Sequence, residues 1–242
     1  MTWSIVARDD SGAFGVAVAS RFFAVGALCP YARSGVGALA TQALVNPGFG
    51  PAGLDLLAQG RDAASVVERL VAGDNGRDVR QVHVIGASGV PAAYTGGQCV
   101  DWCGHVADQG FSVAGNMLAG PRVVEDTADA FRRNAQLPLA ERLLAAMDAG
   151  EAAGGDKRGK QAAALLIATT ESYPALDLRV DDHAEPLAEL RRLFDKSLER
   201  FQPFVACLPS RANPAGIVDR AVIERNIERF QAGAKRSTDN RG

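Results

Sequence analysis

The chain has 242 residues, 47% of them hydrophobic and 22% charged, with a formal net charge of -2. That size suits one sizeable globular core, and the lack of any face-scale basic run removes the electrostatic case for nucleic acid. No apolar run reaches the ~18 residues that span a bilayer, no leader-like segment opens the sequence, and four irregularly spaced cysteines (Cys29, Cys99, Cys103, Cys207) suit reduced thiols, so a cytoplasmic protein with no membrane partner is expected.

The chain opens with two strand signals, 3–8 and Phe14 to Ser20, joined by the turn Asp9-Asp10-Ser11-Gly12. Alternation along the first strand puts Thr2, Ser4 and Val6 on one face and Trp3, Ile5 and Ala7 on the other. A third strand is expected over 35–42, where glycines suggest close approach of a backbone or ligand and the polar pair Thr41-Gln42 ends an apolar run. After the loop 46–51 come two short helices, Ala52 to Ala58 and Asp62 to Val71, the second with Asp62 as N-cap. A second hairpin follows over 81–86 and 90–95, then a loop, a short strand Phe111 to Asn116, and helices 122–133 and 137–149.

A glycine-rich break at 149–160 precedes the most apolar run, 161–168, read as a central strand, with 176–181 as its antiparallel neighbour. Pro186 starts a helix reaching about Phe201. The expected division is a domain over 1–202 and an extension over 203–242, with one amphipathic helix and a polar, disordered end. Strand pairs alternating with helix pairs suggest an α+β fold, either an antiparallel sheet or two stacked sheets with helices outside, and the second arrangement brings the start of the first strand to an open end between the sheets.

Thr2 there has a chemical use. Methionine is normally excised before a small second residue, and a free α-amine titrates near pH ~7.7 to 8.0, so it can serve as general base for the hydroxyl of its own residue. Ser4, on the same face, is the fallback hydroxyl if methionine stays. Cys99, Cys103 and His105 have a C-x3-C-x-H spacing, with His83 on a neighbouring hairpin, which offers three or four soft ligands for zinc and a zinc-hydrolase reading. No second paired motif accompanies them, so neither a metal nor any other cofactor is assigned.

The runs Met1 to Arg8, Gly15 to Phe22, Ala40 to Pro47, Gly115 to Gly120 and Ala153 to Gln161 together resemble an uncharacterised bacterial domain family assigned to the N-terminal nucleophile (Ntn) hydrolases. The resemblance spans roughly residues 1–200. It implies the four-layer αββα sandwich of proteasome β subunits, and an amidohydrolase that cleaves a small-molecule amide or related C–N bond through Thr2. Under that resemblance Arg33 stands where proteasome-like members have a lysine, Thr41 and Gln42 lie near the oxyanion-hole N–H, Asn116 near the terminal amine, and Asp156 in the loop that closes over it. Arg21, Asn46, Trp102 and His105 fall on the substrate side. Each has a structural alternative: surface ion pairs for the arginines, a turn amide for Asn116, a loop cap for Asp156, plain packing for Trp102. A non-catalytic binding or assembly module is the competing function, and self-association through the outer helices is expected in either case.

Overall fold

A computed structural model describes residues 2–239, with side chains described to residue 233. The chain up to Leu190 forms one compact unit. Two antiparallel sheets make its centre. The six-stranded sheet runs β10 (Leu176–Val180), β9 (Ala162–Ala168), β2 (Phe14–Ser20), β1 (Thr2–Arg8), β8 (Phe111–Asn116), β7 (Gly104–Asp108). The four-stranded sheet runs β3 (Pro30–Arg33), β4 (Gly37–Ala43), β5 (Arg80–Gly86), β6 (Pro91–Thr95). Helices α1 (Phe49–Ala58) and α2 (Ala63–Ala72) cover the outer face of the smaller sheet, and α3 (Arg122–Arg133) and α4 (Leu139–Ala152) that of the larger. The result is a four-layer αββα sandwich, the architecture that the Ntn resemblance implies.

Period-two patterning assigns every side chain its layer. On β4 and β5, Leu39, Val82 and Val84 turn outward to Leu54, Leu57, Val66 and Leu70 of the helices, while Ala38, Ala40 and Ile85 turn inward to Val6, Val16 and Val18 of the larger sheet. Burying each such aliphatic side chain contributes roughly 1.5–3 kcal/mol. Close approach sets the glycines: a Cβ on Gly15 would lie 2.5 Å from Leu143 Cδ1 of α4, so β2 and that helix pack only with hydrogen there. Asp62 caps α2 as expected, its Oδ1 accepting from Ser65 N at 2.7 Å.

The two strands without sequence signal are short edge strands. β3 begins on Pro30 and β7 on Gly104, residues that weaken any strand pattern. Beyond Leu190 a second unit holds the later turns of α5 (Pro186–Glu199), then α6 (Phe201–Val205) and α7 (Arg220–Asp239). Within it Ile227 is buried and Arg200 Nη1 pairs with Glu224 Oε2 at 2.9 Å. Helix α7 extends into the polar stretch read as disordered, whose last residues, 240–242, lie outside the described residues, as does Met1. Among the described residues no helix is long and apolar enough to cross a membrane.

Candidate active site

Thr2 sits at the open end of the layer between the sheets. Its register partner on β8 is Asn116, and on the β2 side its Oγ1 donates to Ser20 Oγ at 3.1 Å. The Thr2 carbonyl accepts from Gln42 Nε2 at 3.3 Å, across the sandwich on β4, and from Asn116 Nδ2 at 3.4 Å. The first described residue is thus held by both sheets and is only 5% exposed.

Behind it lies a buried polar network. Gln81 Nε2 faces two backbone carbonyls, Gly115 O at 2.9 Å and Gly104 O at 3.1 Å, which fixes that amide with its oxygen toward Gln42 Nε2 (2.7 Å) and Asn116 Nδ2 (3.1 Å). Gln42 Nε2 also reaches Ala114 O at 3.1 Å, so its oxygen is left to accept from Ser4 Oγ at 2.6 Å. Ser4 Oγ lies 2.9 Å from His83 Nε2 and Ser112 Oγ 3.2 Å from His83 Nδ1, so each ring nitrogen has a hydroxyl partner. Burial, with a smaller push from His105, lowers the pKa of His83 to about 3. Through Thr95 Oγ1 the network continues from Gln81 (2.8 Å) to His105 Nδ1 (2.9 Å) at the surface. Cys29 borders the network with Sγ 3.7 Å from Gln42 Oε1, its thiol pushed by burial up to about 12.

A second clamp is the loop after α4. Asp156, its side chain 1% exposed, accepts from Arg21 N at 2.8 Å, Arg158 N at 3.0 Å and Arg158 Nη2 at 3.0 Å, and the chain bridges Leu118 to Asp156. Trp3 lies under this loop: a Cβ on Gly155 would meet its ring at 3.2 Å and one on Gly150 would meet its Nε1 at 2.8 Å. Among the described residues that buried indole N–H has no partner, a cost of about 1–3 kcal/mol.

Thr2 lines the smaller of two hollows that share Ala43, and its partner Asn116 lines the larger. One, of ≈ 50 Å³, is lined by Thr2, Cys29, Thr41, Gln42 and Phe22; the other, of ≈ 330 Å³, by Leu44, Val100, Asn116, Met117 and Arg158. Ala24, Ala43 and Met117 adopt positive φ (51°, 70° and 53°). Ala43 and Met117 border the hollows, and such backbone strain outside glycine persists only where its surroundings enforce it.

Comparison with known proteins places this arrangement. The model of a family of unknown function, DUF1028, matches residues 2–190. The chain belongs to that family. A crystal structure of a DUF1028 protein, SPO2555 from Silicibacter pomeroyi, is 30% identical, covers 90% of this chain and 96% of its own, and superposes with a TM-score of 0.84. Anbu (ancestral β-subunit) from Yersinia bercovieri is 13% identical over 81% of this chain and 94% of its own, with a TM-score of 0.42. Anbu from Hyphomicrobium sp. strain MC1 is 14% identical over the same shares of the two chains, with a TM-score of 0.43. Among curated proteins nothing matches significantly.

In this DUF1028 member Thr2, Gln42 and Asn116 contact one another, and Asp156 and Arg21 form the neighbouring clamp that begins one residue past Ser20, whereas several other expected residues lie apart. Arg33 pairs with Asp55 of α1 at 2.9 Å, both exposed, and stands opposite Gly37 at the far end of β4 from Gln42; Cys29, just before β3, borders the cluster instead. Asn46 is a loop staple, its amide divided between Asp74 Oδ2 (3.2 Å) and Gly48 N (3.1 Å). The Thr41 N–H is spent on Cys29 O, so it is not an oxyanion donor. Ser4 is fully buried with both hydrogen-bonding roles taken, which removes it as a fallback nucleophile. Trp102 lies over Gly104 and its carbonyl accepts from Leu118 N at 3.0 Å, a packing role, and it does not line either hollow. His105 is exposed and tied to Thr95. The zinc grouping does not form: His83 is enclosed between two serines, and among the described residues no three His, Cys, Asp or Glu side chains gather as a metal site. Of the two centres of the network, the sequence offers His83 only as a zinc ligand and does not single out Gln81. Their signal was the inward alternation of Gln81 and His83 against Val82 and Val84 on β5.

Proposed function

We propose that the chain is an amidohydrolase of the Ntn type whose nucleophile is Thr2, exposed as the first residue by removal of Met1. Thr2 Oγ attacks the carbonyl carbon of a small amide while the Thr2 α-amine takes the hydroxyl proton and delivers it to the departing amine nitrogen. The acyl group is left as an ester on Thr2, and water, activated by the same amine, releases the carboxylic acid. The observation that carries this reading is the hold on Thr2: its carbonyl is gripped from both sheets by Gln42 and Asn116, Thr2 itself lines a hollow, and strained backbone collects there at Ala43. Such positioning fits a group that must meet a substrate carbonyl within a fraction of an ångström.

One observation favours the competing reading of a non-catalytic binding module: Thr2 is 5% exposed and its hydroxyl already donates to Ser20. Turnover of a panel of small anilides by wild type, Thr2→Ala and Thr2→Ser decides. The amidohydrolase reading predicts a loss on the order of 10³-fold or more in Thr2→Ala, with Thr2→Ser retaining activity. Equal turnover by wild type and Thr2→Ala overturns it.

A further inference from the structure

The larger hollow, reached from Thr2 through Asn116, carries one charged residue in an otherwise neutral wall. Its volume of ≈ 330 Å³ is at the small end of ligand sites. Leu44, Val100 and Met117 make it apolar on one side, and Arg158 lies on another. Arg158 is not a loosely solvated cation. Its Nε (3.3 Å) and Nη2 (3.0 Å) rest on Asp156, which the fold buries and anchors through the Arg21 and Arg158 backbone N–H groups. This leaves Nη1, for which no protein partner occurs among the described residues. The neighbouring cations are not cancelled by paired acids: Lys157 Nζ rests on the Asp101 carbonyl at 2.6 Å and Arg21 Nη1 on the Arg158 carbonyl at 2.5 Å. Among the described residues the one carboxylate these three cations touch is Asp156, which Arg158 and the Arg21 backbone N–H share. A guanidinium oriented on one edge and open on the other is preorganised for a carboxylate.

Asn116 links that cation to the reacting group. It lines the hollow, pairs with Thr2 across the β1–β8 ladder and donates to the Thr2 carbonyl. We infer that the hollow receives the acyl part of a small amide bearing a carboxylate and a short apolar chain, with the carboxylate held by Arg158. The inference deepens the amidohydrolase reading and rests on it for the bond that is cleaved; the binding step itself can be measured without turnover.

The test is calorimetric titration of wild type and Thr2→Ala with 4-methylpentanoate and with the neutral 4-methylpentanamide. Both proteins are expected to bind the carboxylate at least about tenfold more tightly than the amide, a difference in line with a charge-assisted hydrogen bond. Arg158→Gln should erase the preference and Arg158→Lys should keep part of it, which guards against loss of the Asp156 loop in the first variant. Rising salt should narrow the preference as well. Equal binding of the two probes, or a carboxylate preference that survives both Arg158→Gln and added salt, overturns the inference. A preference that follows Arg158 while Thr2→Ala still turns over anilides would leave this site standing and remove the catalytic role of Thr2.

Discussion

The layer between the sheets is built from two materials. On the β2 and β9 flank, Val16, Val18, Ala162 and Ala164 meet Ala38 and Ala40, and the inward face of β2 turns polar only at its end, at Ser20. On the β1 and β8 flank, the corresponding inward positions hold Ser4, Ser112 and Asn116, and the facing strands supply Gln42, Gln81 and His83, all buried. The apolar flank needs only volume and shape. The polar flank must satisfy every donor and acceptor, because a buried orphan costs about 1–3 kcal/mol while a made hydrogen bond nets only about 1 kcal/mol. An apolar filling would hold the sandwich together at less risk. The polar one does what aliphatic side chains cannot: it fixes direction, and its last links end on Thr2.

The contrast is broken most sharply at Gln42. Gln42→Leu keeps the approximate volume but strands the Ser4 hydroxyl proton, the Ala114 carbonyl and part of the hold on Thr2. The expected loss is about 3 kcal/mol in urea unfolding. A loss below about 1 kcal/mol, the range of a tolerated volume-conserving swap, would mean that the two flanks are energetically alike.

His83 sharpens the comparison through pH. Its folded pKa of about 3 lies below the ordinary 6.5, so the unfolded chain binds the proton first. The stability tied to the neutral ring is complete above about pH 6.5 and is lost as pH falls toward about 3. Within that window the slope should reach about 1.4 kcal/mol per pH unit. Unfolding free energies of wild type and His83→Gln measured across it should diverge at neutral pH and draw together in acid. Parallel curves would show that His83 is not held neutral.

Much of this contrast can be read from the sequence, and the limits have physical reasons. Alternation along β1 is enough to put Thr2 and Ser4 on one face, and the polar end of β4 marks Gln42. Strand pairs alternating with helix pairs leave one sheet or two stacked sheets open, and the family resemblance is what implies the αββα layering. The network role of His83 and Gln81 is hidden because a polar residue at every second position ordinarily marks a solvent face; only the second sheet, brought in from far along the chain, turns that face into an interior. Arg33 misled for a related reason: distance along the chain does not say at which end of a short strand a residue falls, and β3 places it opposite Gly37. Arg158 sits in a motif that drew attention to Asp156, and its relation to the hollow exists only once Met117, Val100 and the loop after α4 are assembled.

Everything proposed for Thr2 requires a free α-amine on that residue. Intact-mass measurement of the purified protein is the direct test. The expected result is a mass short of the full sequence by one methionine, with Thr2 unmodified at the terminus. A mass that retains Met1, or an acetylated Thr2, would contradict the account, since the general base would then be absent.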